Sequence, residues 1–147
     1  MDRFGFLAAF HFRVEFLSLE GSDIDTRFQS VSGLNVTVET DSISEGGENR
    51  FKHLLPKGTS YSDLVLKRGL VTSSKVIEWC RQNIETLEIQ PVDINVSLLN
   101  EQHEPAMTWQ VKHAWPKKWS VADLNAESSA IMIETLEIGY QYFTIAT

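Results

Sequence analysis

Phe10-His11-Phe12-Arg13-Val14-Glu15-Phe16 sets Phe10, Phe12, Val14 and Phe16 on one parity and His11, Arg13 and Glu15 on the other. Side chains of an extended backbone point alternately to opposite faces, so a period of two marks a half-buried β-strand. After it Leu17 and Leu19 change parity before Glu20-Gly21-Ser22-Asp23, a shift that a bulge or twist absorbs ahead of a turn. Ile24 to Gln29 then reads as a short strand pairing back as a hairpin. Beyond Gly33 the alternation returns: Leu34, Val36, Val38 and Thr40 against Asn35, Thr37, Glu39 and Asp41, a second amphipathic strand with room to extend to Ser44.

The pattern stops from Glu45 to Ser60, where Glu45-Gly46-Gly47-Glu48-Asn49-Arg50 and Pro56-Lys57-Gly58-Thr59 are turn-forming. This predicts a projecting loop or hairpin at about 45–58. Connections of more than about 12 irregular residues usually bind something or are disordered. Phe51, Leu54 and Leu55 argue for a surface to cover, either on the same domain or on a neighbouring chain.

Tyr61 to Arg68 is a further strand ended by Gly69, and Thr72-Ser73-Ser74 offers an N-cap for a helix over Lys75 to Ile84, with Val76, Ile77, Trp79, Cys80, Asn83 and Ile84 at helical spacing. Strands resume at Val92 to Leu99, with Val92, Ile94, Val96 and Leu98 on one face, and at Met107 to His113 across a turn at Asn100 to Glu104. A polar stretch follows Trp115-Pro116 through Ser129, and Ile131 to Ile145 closes the chain as a strand. Many strands and one helix predict a mainly β, antiparallel sandwich or barrel with the helix packed against it, a single domain over residues 1–147. Its expected core includes Phe12, Phe16, Leu34, Val36, Leu66, Trp79, Trp109 and Trp115. Long amphipathic strands also leave sheet edges that need a cover or a partner.

At 147 residues with 42% hydrophobic content, the chain is long enough to bury a core. Cys80 is its one cysteine, which excludes an intrachain disulfide. No apolar run nears the roughly 20 residues of a membrane helix, and the opening MDRFGFLAAFHF lacks a small-residue cleavage pattern. The expectation is therefore a soluble chain that carries no signal peptide or membrane anchor.

A formal net charge of −7 opposes tight binding to nucleic-acid phosphates. The charge is laid out in blocks: residues 15 to 48 carry −7, 49 to 75 carry +5 and 76 to 147 carry −6. Such blocks are either ordinary surface scatter or unlike faces through which copies meet.

Reaction chemistry finds little support. His11, His53, His103 and His113 show none of the short zinc spacings, and Cys80 beside Trp79 in the helix reads as a small buried hydrophobe. There is no Gly-x-Ser-x-Gly elbow, and Gly46-Gly47 is not followed by the residues of a phosphate loop. Glu134 and Glu137 lie at opposite parities of one strand, poorly placed to share a proton. Trp109, Trp115 and Trp119 with Lys112, Lys117 and Lys118 suggest a stacking platform for single strands or sugars, but tryptophans on a sheet face are more often core. No catalytic, cofactor or metal site is expected.

Four stretches together carry a resemblance: Phe28-Gln29-Ser30-Val31-Ser32-Gly33-Leu34; Glu45-Gly46-Gly47-Glu48-Asn49; Tyr61-Ser62-Asp63-Leu64-Val65-Leu66-Lys67-Arg68-Gly69; and Trp109 with Ala114-Trp115-Pro116. Ile133-Glu134-Thr135-Leu136-Glu137-Ile138 completes the set. The chain resembles the tail tube proteins of contractile phages and extracellular contractile injection systems. The resemblance implies a small β-sandwich or barrel, six copies of which close into a ring, with rings stacked into a hollow inner tube. It further implies sheath, baseplate hub, spike and tube terminator as partners, cargo or DNA in the lumen, no cofactor, and passage rather than turnover as the function.

On this reading Glu45, Gly46, Gly47, Arg50, Phe51, Leu54, Leu55, Lys67 and Arg68 contact neighbouring subunits, and six copies at −7 give −42, so salt should matter to stacking. Head-to-tail contacts of this kind close into rings or extend into filaments. The alternative is a monomeric β-barrel that binds a small ligand or carbohydrate, with the 45–58 loop as a lid.

Overall fold

The opening alternation becomes β1 (His11–Phe16), with Val14 and Phe16 buried and Phe12 packed against the same core. The computed structural model describes residues 11–19, 28–43, 53–70, 74–122 and 132–146. In chain order the remaining elements are β2 (Ser30–Ser32), β3 (Val36–Ile43), β4 (His53–Tyr61), β5 (Leu64–Gly69), α1 (Lys75–Thr86), β6 (Val92–Leu99), β7 (Pro105–Val121), β8 (Ile133–Gly139) and β9 (Tyr142–Ala146). The antiparallel path runs β1-β6-β7-β8-β5-β2, with β9 also beside β7, while β3 and β4 form a separate two-stranded sheet.

β7 joins the two halves of this path. Its residues Thr108–Lys112 pair with β9 and Trp115–Val121 pair with β8. Between them the register to β6 passes from Ile94–Val111 to Val92–Ala114, so β7 carries one extra residue opposite Asp93. His113 there takes φ 54 and its N–H donates to Asp93 Oδ1 at 3.0 Å. A bulge of this kind bends a strand and lets it serve two sheets. The strand expected over 107–113 therefore runs through Trp115-Pro116 to Val121, and Pro116 is accommodated beside the register shift between Pro116 and Lys118. The strand expected over 131–145 is broken at the same corner, where Gln141 N–H donates to Lys112 O at 3.0 Å between β8 and β9.

The two halves enclose one core of Val14, Phe16, Leu64, Leu66, Ile94, Val96, Val111, Leu136 and Ile138, among others. Burying a Leu or Ile fully is worth about 1.5–3 kcal/mol each, which holds the halves together. α1 starts where Ser74 Oγ accepts from Ile77 N–H at 3.2 Å, as the Thr-Ser-Ser signal predicts, and ends on Leu87 in the left-handed region. Val76, Trp79 and Cys80 face the core, with the Trp79 ring 5.9 Å from Phe16 and its Nε1–H donating to Gln90 O at 2.9 Å.

Three further expectations change. The segment after β1 does not pair back on it within the described residues: Gln29 N–H donates to Lys67 O, and β2 pairs with β5, because Val31 and Leu34 reach the core from that side. Residues 24–27 lie outside the described residues. Leu98 is only half-buried and Leu99 is buried, because the register shifts at that point. Val36, expected in the core, stands 47% exposed, since β3 leaves the sandwich and pairs only with β4.

Of the other expected core residues, Leu66 is fully buried, Leu34 and Trp109 pack on the core partly buried, and Trp115 is half-buried with its ring against Gly139.

Candidate functional site

The β3–β4 ribbon comes from the stretch whose hydrophobic pattern stops in the sequence. Its antiparallel register runs from Val36–Tyr61 to Ile43–His53, so the last six residues of the expected loop, His53–Gly58, are paired strand, while 45–52 lie outside the described residues. Pairing passes from Glu39–Gly58 to Thr40–Pro56, leaving Lys57 as an extra residue on β4. Directly paired residues share a face. The bulge consequently shifts Pro56 and Leu54 onto the face of Val36 and Val38. Without it, Leu54 would lie on the face of Glu39 and Asp41.

Val38 is 56% exposed, Leu54 64% and Leu55, on the opposite face, 48%. Lys57 Nζ lies 3.9 Å from Asp41 on the solvent side. A two-stranded sheet is marginal alone in water, and contiguous exposed apolar side chains mark an interaction surface.

The sandwich also has open borders. Among the described residues β1 pairs only with β6, β2 only with β5, β9 only with β7, and the Trp115–Val121 half of β7 only with β8. Among the described residues each has one side without a ladder partner, the usual template for strand addition.

Of the expected contact residues, Leu54 and Leu55 are on the ribbon and Lys67 is exposed on β5. Glu45, Gly46, Gly47, Arg50 and Phe51 lie outside the described residues. Arg68 is corrected: it is 2% exposed, its Nε–H bonded to Glu134 Oε1 and its Nη2–H donating to Ser74 Oγ at 2.9 Å. It belongs to the core, so reversing Lys67 and Arg68 together would test folding rather than assembly. Strand parity carries the missed signal, because Arg68 continues Leu64 and Leu66 just as Glu134 precedes Leu136 and Ile138. Sequence reasoning also missed the aromatic group of Tyr61, Tyr140 and Phe143 at the ribbon's base.

No three metal-ligating side chains come together among the described residues. The Cys80 thiol is pushed up to about 12 by burial and then by the Glu134 charge, with Arg68 opposing, which leaves it a poor nucleophile. Trp109, Trp115 and Trp119 do not form a stacking platform: Trp109 and Trp119 pack against the core and Trp115 covers Gly139.

A sandwich whose borders have no ladder partner among the described residues, with an apolar ribbon standing clear of it, has the geometry of a structural subunit. The chain belongs to the T4-like virus tail tube protein gp19 family, whose model matches residues 8–144. It is similar to a chain of the 6-fold symmetrised anti-feeding prophage (AFP) baseplate, with 32% identity, 92% of this chain and 90% of that one covered, and a TM-score of 0.81. A chain of the PVC extracellular contractile injection system sheath-tube complex in the extended state shares 22% identity over 97% of this chain and 92% of its own, with a TM-score of 0.80. Hcp1 from Flavobacterium johnsoniae shares the fold at 14% identity, 93% and 95% coverage and a TM-score of 0.58. No curated protein sequence matches the chain. The protein is an inner-tube structural subunit.

Proposed function

We propose that six copies close into a ring through the open sheet borders, and that rings stack through the β3–β4 ribbon into the hollow inner tube of a contractile particle. The ribbon carries this reading: an apolar face formed by Val36, Val38, Pro56 and Leu54, standing off the sandwich, is costly in a lone molecule and useful between rings. The 6-fold symmetrised AFP baseplate supports six as the copy number.

Sheath, baseplate hub with spike, and tube terminator are the proposed partners on the outside and the ends; the sheath-tube complex and the AFP tube terminating cap, whose chain is 23% identical, support the first and last. The lumen would pass cargo or DNA, and its function would be rigidity and passage when contraction drives the tube through a target envelope. Glu45, Gly46, Gly47, Arg50, Phe51, Leu54, Leu55 and Lys67 remain the proposed contacts, with Lys67 the exposed cation for an acidic neighbour. Val38→Asp with Leu54→Asp is the test, because both side chains are solvent-exposed and the change spares the core. Negative-stain imaging should then show rings that no longer stack; tubes of normal length would refute the stacking role.

A further inference from the structure

Among the described residues the ribbon shares no hydrogen-bonded ladder with the sandwich, so something other than sheet continuity must set its direction. Three aromatic side chains meet where it leaves. The Tyr61 ring, on the last residue of β4, lies edge-on to Phe143 of β9 at 5.1 Å and 75°, and to Tyr140 at 5.8 Å and 62°. Tyr140 and Phe143 are themselves 6.3 Å apart. The Tyr140 hydroxyl donates to Gly33 O at 3.3 Å, just ahead of β3, so one residue contacts both legs of the ribbon.

The legs are also tied to each other. Ser62 Oγ–H donates to Asn35 Oδ1 at 2.5 Å, and Gly33, at φ 91, lies so close to the other leg that a Cβ there would sit 1.9 Å from Asp63 O.

We propose that Tyr61, Tyr140 and Phe143 are positioning residues that clamp the ribbon at a fixed angle to the sandwich and tie that angle to edge strand β9. The proposal rests on the reading of the ribbon as a stacking arm, and gives that arm its aim. It also gives a role to the break between β8 and β9. The interruption at Tyr140-Gln141 swings Tyr140 out of the ladder and over the ribbon's base, whereas an unbroken strand would keep it in register with β7. Phe143 sits on β9, whose outer side has no described partner, so a copy that pairs with β9 would brace the residue the arm leans on. Rigid aromatic contacts suit this use because they hold shape at little conformational cost.

The test measures the arm's angle directly. Spin labels are placed at Leu54 on the ribbon and Gln82 on α1, both exposed, in a Cys80→Ala background, with the labelled protein diluted into unlabelled chains. Pulsed electron resonance should give one narrow distance distribution that widens about twofold with Tyr61→Leu and less with Tyr140→Phe, the expected range for freeing a loosely tethered ribbon. Amide exchange at Val14 and Val96 confirms that the core stays folded. Unchanged widths in both variants overturn the clamp. Widened distributions with normally long tubes leave the clamp standing and instead refute the stacking reading, so the two failures are told apart. Should Tyr61→Leu not fold, Tyr140→Phe, which removes only the hydroxyl, decides by the same criterion.

Discussion

Arg68 on β5 and Glu134 on β8 are directly opposed in the ladder, and their side chains form an ion pair in the interior. The second Glu134 oxygen accepts Trp119 Nε1–H at 3.0 Å, and the Arg68 guanidinium lies 4.6 Å over the Phe28 ring. Through Ser74 the same group reaches the N-cap of α1. One buried pair thus ties β5, β7, β8, the segment before β2 and the helix.

Breaking that pair from one side should be severe. Glu134→Ala or Arg68→Met leaves a buried charge without its partner, at a cost of about 3–5 kcal/mol, against a total of about 5–15 kcal/mol for a typical domain. Urea denaturation should show either single variant unfolded or close to it. The double variant Arg68→Met/Glu134→Leu should lose less than the sum of the singles, which a double-mutant cycle reads directly.

Gly33 has no tolerance for a side chain. At φ 91, with Asp63 O 1.9 Å from a Cβ position, Gly33→Ala combines backbone strain with a backbone clash. A loss of about 2 kcal/mol or more is expected. Gly139→Ala should also destabilise, because its Cβ would sit 2.1 Å from the Trp115 ring. Thermal melts of both variants check the order, with Gly33 the worse because backbone atoms cannot step aside as a ring can.

Cys80 reports on helix docking. With its pKa at about 12 against 9.0 for an ordinary thiol, it carries roughly a thousandfold less thiolate at about pH 8. Alkylation should be negligible in the native protein and rapid in denaturant. Fast native labelling would mean that α1 lifts from the sheet.

Alkaline pH should loosen the ribbon's base. The Tyr140 hydroxyl is pushed up to about 12 by burial first, then by Asp63 and Tyr61; Asp63 itself is paired with Lys117 at 3.0 Å. A raised pKa means that the folded state favours the protonated phenol. Its contribution is therefore complete below the unfolded value of about 10 and is lost as pH rises through about 12. Cys80 acts in the same direction from about 9 upward. Absorbance titration near 295 nm should show a late-ionising tyrosine that Tyr140→Phe removes.

Much of this molecule was legible in its sequence because period-two alternation reports burial directly. β1, β6 and the Ser74-capped helix follow from spacing alone, and the ordered motifs from Phe28 to Ile138 identify the family. What stayed hidden depends on partners distant in the chain. Nothing local says that Val36 pairs with Tyr61 on a separate ribbon and stands exposed, since a strand reads alike whether its apolar face meets a core or a neighbour. Arg68 looked like a surface cation because its counter-charge lies 66 residues away. The bulge at His113 and the break at Tyr140-Gln141 are one- and two-residue events that serve a tertiary corner; Gly139 precedes the second, but a lone glycine in a strand pattern does not by itself end the strand.

Assembly into rings and tubes is the central claim. Cryo-electron microscopy of the purified 16.7 kDa protein, over a series of concentrations and salt strengths, tests it most directly. Six-membered rings with an open centre, stacking into tubes whose adjacent rings touch through the β3–β4 ribbon, are the predicted result. Particles that remain single subunits under every condition, or rings whose ribbons face away from one another, would contradict it.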